Sequence, residues 1–557
     1  MSAVAVQSIA AAALLDGAEH PELEQLASAG SYGVHPGNCH RDIMVRFAGD
    51  VKIADADHVG TFLRDPKTSN IVEQPVAVFL PHKMIHKLAA EYGQVTSSPI
   101  QQCSSSKAFW DKVEATGDPK LQGHPMTRIK GWKELFIPLW VHGDGVEFQS
   151  RDTLMVFSFG VLLNSMAAMD SSMLLGAVPK SCSLPCSPES PGTWSPLWRW
   201  ITWSFIALFM GKFPTEDPDG QPCEKAGEWL TPQKYRFVVW VLEGDHEYFS
   251  NTLGLPHWNN HRMCWDCDCD VTSEGKHWRD LVGNSWIVKT IQEVRNDPPS
   301  SHYIFKLPGV TSKNIAHDAL HVVFNHGILS HLLGSVLHVL CYDGPGVRNQ
   351  AVPAQTRLAL IWAKIQEYYV TNKTPTRLTN LKAKMFCDPD KVHANWPALN
   401  TKAGETKHLL PALLFVTRLL NDSSPLHTHM IEAMRFMLAI ILVWDQADAV
   451  LTTEEAGKCM DLMGSFYREY NWLNIWASEN ERYLFHVVQK FHMFYHLVYN
   501  ARFLNPRMSW CFKAEDYVGK ISTLGSSVIY GVNTSKLSMK LAKKYRLHLH
   551  MRLTRPQ

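Results

Sequence analysis

The sequence predicts an α/β fold with a large α-helical part. Two observations carry this expectation. Two short apolar runs of strand-like composition, residues 135–141 and 235–242, each run into a Gly-Asp pair, Gly143-Asp144 and Gly244-Asp245. Beyond about residue 310 the pattern changes, and apolar residues recur at helical spacing through residue 500 with no strand-like run among them.

Taken in order, residues 1–125 are mixed and polar, with turn signals at His35-Pro36-Gly37-Asn38 and Thr116-Gly117-Asp118-Pro119, and are expected to form an α/β accessory region. Residues 126–255 hold the strand-forming core. Pro138 lacks an N–H for a ladder, so the first strand is expected to begin after it. Residues 154–163 read as the next strand, 180–197 as a Ser/Pro-rich loop and 197–211 as a buried helix. Residues 256–310 are marked by Cys and His, 311–500 are helical, and 501–557 return to the core and end in a basic tail.

The 557 residues are too many for one ordinary domain; at about 150 residues per unit, three or four are expected. With 45% hydrophobic and 19% charged residues, the chain has material for a core and is not expected to be disordered. The net charge of +1 gives no global support to nucleic-acid binding, so any basic surface must be local. The last 41 residues supply one: they contain no Asp or Glu and eight Lys or Arg, including Lys536, Lys540, Lys543, Lys544 and Arg546. The 12 cysteines are spread thinly except at Cys264, Cys267 and Cys269, which fits small buried residues better than a disulfide framework. The N-terminus lacks the basic segment of a signal peptide, and the apolar windows 197–210 and 434–444 are too short to cross a bilayer, so no membrane partner is expected. Phosphate-loop, nucleophile-elbow and zincin motifs are absent.

Asp144 and Asp245, at matching strand ends, are candidate ligands for divalent ions. Hard cations take oxygen ligands, and carboxylates on adjacent strands can meet at a sheet edge. Each also fits ordinary turn chemistry. A third acid can come from Asp318, in Asp318-Ala-Leu-His321, or from Glu515, which follows the helical region. Cys264-Trp-Asp-Cys267 is a zinc half-site, with His257, His261 or His321 open as further ligands. His492 and His496 stand four apart on an expected helix and can bind metal, although a packed aromatic face with polar tips is the favoured reading.

Along residues 130–550 the order of motifs resembles the eukaryotic cut-and-paste transposases with a DDE catalytic core, chiefly the CACTA/Plavaka and Kyakuja-Dileera-Zisupton groups, with hAT more distant. The motifs are His142-Gly-Asp-Gly145, Gly244-Asp245 followed by Leu255-Pro-His257, the Cys264/Cys267 pair, Asp318-Ala-Leu-His321, Lys490-Phe-His492 with His496, and the late Glu515. The resemblance implies an RNase H-like core interrupted by a helical insertion, with Asp144, Asp245 and Glu515 holding catalytic Mg²⁺ or Mn²⁺ and Asp318 as an auxiliary or alternative acid. It also favours His321 as a ligand beside Cys264 and Cys267 for structural Zn²⁺. It implies DNA as the partner, a homo-oligomer, no small-molecule substrate and a nuclear location, with a catalytically inactive, transposon-derived DNA-binding or assembly protein as the alternative.

Overall fold

The computed structural model describes residues 3–48, 51–66, 68–93, 100, 106–149, 152–185, 192–343, 352–529 and 536–554. It is mixed α/β, with six strands and a predominance of helix among the described residues. Strands β1 (Asp57–Arg64) and β2 (Ile71–Val78) form an antiparallel hairpin. Strands β3 (Phe136–Gln149), β4 (Asp152–Val161), β5 (Met173–Pro179) and β6 (Arg236–Gly244) form one sheet in the order β5-β4-β3-β6. β3 runs antiparallel to β4 and parallel to β6. A parallel neighbour needs a crossover, and the Trp194–Met210 helix lies in it. Its Trp198, Ile201 and Phe205 join the core of the sheet, Trp198 against Phe157 and Phe205 against Phe159. Gly211, at φ +72°, closes this helix in the left-handed conformation that a side chain disfavours.

Three expectations are corrected here. Pro138 lies inside β3, paired with Val238. Its carbonyl accepts from the Leu162 N–H, so its nitrogen also faces Leu162, just past the end of β4, and the ladder to β6 is untouched. Residues 53–92 are not an accessory region. β1, β2 and the Pro81–Glu91 helix share the core of the main sheet, and the Phe79 N–H bonds the Leu175 carbonyl at 2.7 Å. Finally, the helix expected from residue 315 begins later. Ile315 makes an isolated parallel bridge to Leu242 on the outer side of β6, and the regular helix there is Ile328–His338.

The helices Ile328–His338, Ala354–Thr371, Ala403–Leu419, Pro425–Gln446, Thr453–Glu479 and Lys490–Asn500 build a second apolar core, which Met263, Cys264 and Cys267 also enter. Two stretches, Leu320–Tyr342 and Pro425–Gln446, have the length and hydropathy to cross a membrane; the first is largely buried in this helical body, and half of the second's apolar window is. The chain then returns to the sheet. The Phe512–Ser526 helix packs on β3, with Ser522 and Ser526 bonding the carbonyls of Glu147 and Phe148, and Tyr545 of the Leu537–Leu553 helix bonds the Leu174 N–H.

Candidate metal centres

The two Gly-Asp pairs meet because β3 and β6 are parallel neighbours in register, Gly143 beside Gly244. The next residues, Asp144 and Asp245, therefore leave adjacent strands at the same end of the sheet. Both glycines are required by Tyr248, whose ring occupies the space a Cβ would take at either position; Gly244 in addition has φ +151°. Asp245 caps the short helix His246–Asn251 by accepting from the Tyr248 N–H at 2.6 Å. The turn chemistry is thus present together with the convergence of acids.

Glu515 stands in the first turn of the Phe512–Ser526 helix, beyond the helical body, close enough to Asp144 for its charge to act on that carboxyl. Burial, followed by the charges of Glu515 and Asp245, pushes the Asp144 carboxyl well above the usual carboxylate range. Asp245 is likewise raised, first by burial. For Asp144 the neighbouring acids add to burial, whereas for Asp245 the Tyr248 N–H and His321 act against it. Asp318 plays a different part. It is buried and accepts from the N–H groups of Leu320 (2.9 Å), His321 (3.2 Å) and Cys511 (2.9 Å), and it bonds His321 Nδ1 at 2.6 Å. Burial pushes its carboxyl up, but His321 and these donors outweigh burial and hold it low. With its oxygens so engaged, Asp318 orients His321, whose Nε2 lies 3.6 Å from Glu515 Oε1.

Two clefts open on the acids. One of about 390 Å³ is lined by Asp144, Asp245, Lys180, Trp194 and Asn251. The other, about 970 Å³, runs past Glu515 between Lys402 and Lys520.

The second centre is the Cys/His cluster, and here the structure corrects the expected ligand. His321 belongs to the acidic site. The partners of Cys264 and Cys267 are His492 and His496, one turn apart on the Lys490–Asn500 helix. All four side chains are buried, and their ligand atoms lie within 4.8 Å of one another, the only such set among the described residues. Cys264 Sγ is 3.4 Å from His496 Nε2, Cys267 Sγ is 3.4 Å from His492 Nε2, and the two Nε2 atoms are 3.2 Å apart. A tetrahedral zinc with bonds of about 2.3 Å to sulfur and 2.0–2.1 Å to nitrogen has S···N edges of about 3.5 Å and N···N edges of about 3.3 Å, which these three edges match. The Asp266 and Cys269 N–H groups donate to the two sulfurs at 3.3 Å, which suits thiolates. Burial pushes the Cys264 thiol up, but Cys267 and the two imidazoles outweigh it and hold Cys264 well below the usual thiol range. His257 and His261 take no part in the cluster.

The i, i+4 spacing of His492 and His496 was the available signal, but an aromatic face carries the same spacing. Only the approach of residues 264–267 to that helix separates the two readings. The same helix links the centres: Lys490, held at about 8 by burial, feels the charges of Asp318 and Asp245 and donates to the Asn325 and His326 carbonyls.

The basic tail divides. Lys536, Lys540 and Lys543 are exposed on one side of the C-terminal helix and its start, whereas Lys544 reaches the Ser527 hydroxyl. Arg546 is occupied inside the fold, bonding the Ile53 carbonyl at 2.7 Å and pairing with Asp55 at 2.5 Å. No protein-family model and no curated protein matches this chain.

Proposed function

We propose that this chain is a metal-dependent DNA-cleaving and strand-transferring protein of transposase type, built on an RNase H-like core with a helical insertion. One observation carries the reading: the parallel β3–β6 pair sets Asp144 beside Asp245, and the first helix after the insertion brings Glu515 to them. The β5-β4-β3-β6 order, with one parallel pair and the Leu242–Ile315 bridge outside β6, supports the fold assignment. Asp144, Asp245 and Glu515 would hold Mg²⁺ or Mn²⁺, which when bound activates water or a DNA 3′-OH and neutralises charge on the leaving oxygen. The residues prepare that chemistry. Asp245 is fixed by its cap bond, Glu515 is faced by the Asp318-anchored imidazole of His321, and the carboxylates supply the hard oxygen donors such ions require. The clefts on either side, with Lys180, Lys402 and Lys520 on their walls, offer a course for a phosphate backbone.

Zinc in the Cys264–Cys267–His492–His496 set would pin residues 256–310 to the far end of the insertion and so hold the Glu515 helix at the sheet. DNA binding through Lys536, Lys540 and Lys543, assembly as a homo-oligomer and nuclear residence belong to the same proposal. The deciding experiment is Mn²⁺-dependent nicking of supercoiled DNA by the purified chain and by Asp245→Ala. Nicking that is lost in the variant supports the proposal. A folded, DNA-binding chain that does not nick would instead be a transposon-derived binding protein.

A further inference from the structure

A cavity of about 430 Å³ lies at the outer side of β6, apart from both metal centres. None of the three acids and none of the four Cys/His ligands lines it. Its walls are the turn at 116–122, the segments 288–291 and 313–317, and the chain from Leu497 to Ser509. Its volume is that of a site for one small molecule.

The charges in its wall are unbalanced. Among the described lining residues are four cations, Lys120, Lys289, Lys313 and Arg502, against the single carboxylate Asp118. Lys313 is already neutralised from behind by Asp266 at 3.1 Å. Lys120 is not. Its ammonium is buried, stands 4.3 Å over the Trp240 ring, and has Asp118 Oδ2 at 3.5 Å, the outer limit of a hydrogen bond. An ammonium has three N–H donors, and a single carboxylate oxygen at this distance engages at most one of them. Asp118 Oδ2 is itself buried and without a hydrogen-bond partner. Burial pushes Lys120 down and Asp118 up, as expected of a pair that compensates poorly for its lost water. At the mouth, Arg502 is exposed over Tyr499 and Phe503, at 4.0 and 4.5 Å, and the half-buried Lys289 also lines the cavity.

We propose that this cavity is a binding site for a small phosphorylated molecule that also carries hydroxyl groups, such as a nucleotide or a phosphorylated polyol. Its phosphate oxygens accept from Lys120 at depth and from Lys289 and Arg502 at the mouth, and a hydroxyl donates to Asp118 Oδ2. That pairing answers both unused groups at once, which a simple anion does not. Charge-assisted bonds to phosphate are strong enough to offset the burial of the ammonium.

The test uses the full chain with three probes, ATP, inositol 1,4,5-trisphosphate and inorganic pyrophosphate, followed by titration calorimetry and thermal shift. ATP or inositol 1,4,5-trisphosphate is expected to bind and raise Tm, and more tightly than pyrophosphate. Arg502→Ala and Lys289→Ala, which change only the mouth, are expected to weaken binding about tenfold each with the Tm of the free chain unchanged. Lys120→Met is expected to abolish binding, and if it does not fold, the two mouth variants carry the test. The proposal is overturned if neither hydroxyl-bearing probe binds, if pyrophosphate binds as tightly as they do, or if both mouth variants bind like the parent. It is overturned equally if binding is lost only when Lys536, Lys540 and Lys543 are replaced by alanine, which would locate the anion on the C-terminal helix.

Discussion

Removing the Cys/His cluster should loosen the helical insertion from the segment before it. Cys264 and His496 are 232 residues apart in sequence, and Cys267 and His492 are 225 apart. A cross-link closing a loop of that length removes about 5 kcal/mol of chain entropy from the unfolded state, on the scale used for disulfides. For a cooperative unit of the insertion's size, each kcal/mol shifts Tm by about 2–4 °C, so loss of zinc is expected to lower the melting of this part by about 10–20 °C. Cys264→Ser and His496→Ala should each lose the ion, seen by elemental analysis, and melt early by calorimetry. A strong chelator should reproduce both effects in the parent chain. Cys269→Ser is the control: Cys269 is buried beside the cluster, its thiol pushed up to about 12 by burial, but it is not one of the four ligands. It should keep its zinc. A parent chain purified without chelator that holds no zinc would refute the reasoning. So would a chelated chain whose Tm falls by less than about 2 °C.

Replacing Asp144 or Asp245 by Asn, or Glu515 by Gln, should lower metal-dependent nicking by about 1000-fold or more, equivalent to about 4 kcal/mol of transition-state stabilisation. Asp144→Asn should at the same time raise Tm in metal-free buffer, because it removes one charge from a buried set of like charges; a lowered Tm would count against that account. His321→Ala should retain divalent-ion binding but lower the nicking rate about 10–100-fold, as expected for a group that positions a ligand, and full loss of ion binding would make it a ligand instead. His82 and His302, lowered to about 3, and His124 and His331, lowered to about 4, are all lowered first by burial. Their folded pKa lies below the unfolded value, so the stability they contribute is complete above about pH 6.5 and is lost as pH falls toward 3–4. At pH 5 each costs about 2 kcal/mol, which predicts acid unfolding between about pH 6 and 5 in a pH titration of circular dichroism, and a chain stable at pH 4 would contradict it. Alanine at Lys536, Lys540 and Lys543 should weaken DNA binding and flatten its salt dependence by about 0.9 log unit for each phosphate no longer neutralised, whereas Arg546→Ala should lower Tm, since Arg546 is bound within the fold.

The acidic site was legible because it is local. A strand ended by Gly-Asp is a short pattern, and two copies of it identify equivalent positions before any tertiary contact is known. Glu515 is preferred over Asp318 for its place beyond the helical run, a choice that no local pattern secures. The choice needed the donors that occupy Asp318, three backbone N–H groups and the His321 ring, one of them from Cys511, 193 residues away. The helical spacing after residue 310 was legible for the same reason as the strands, since a helix face repeats within a few residues.

What lay beyond the sequence was every pairing across long separations. Pro138 could be judged only by its neighbours, since its missing N–H matters or not according to where β4 ends. The N-terminal hairpin joined the main core by burying its apolar residues there, with Phe79 just past β2 bonding Leu175 of β5, a contact with no local trace. The zinc ligands illustrate it most plainly. Cys264-x-x-Cys267 marks half a site by itself, because two thiolates two residues apart can grip one ion from a single turn. The other half is a His pair on a helix whose spacing also suits a packed aromatic face. Residue types and short spacings determined which groups were able to do chemistry, and the tertiary fold determined which of them met, because the energy that brings distant segments together comes from burying their apolar faces in common cores and not from the motifs themselves.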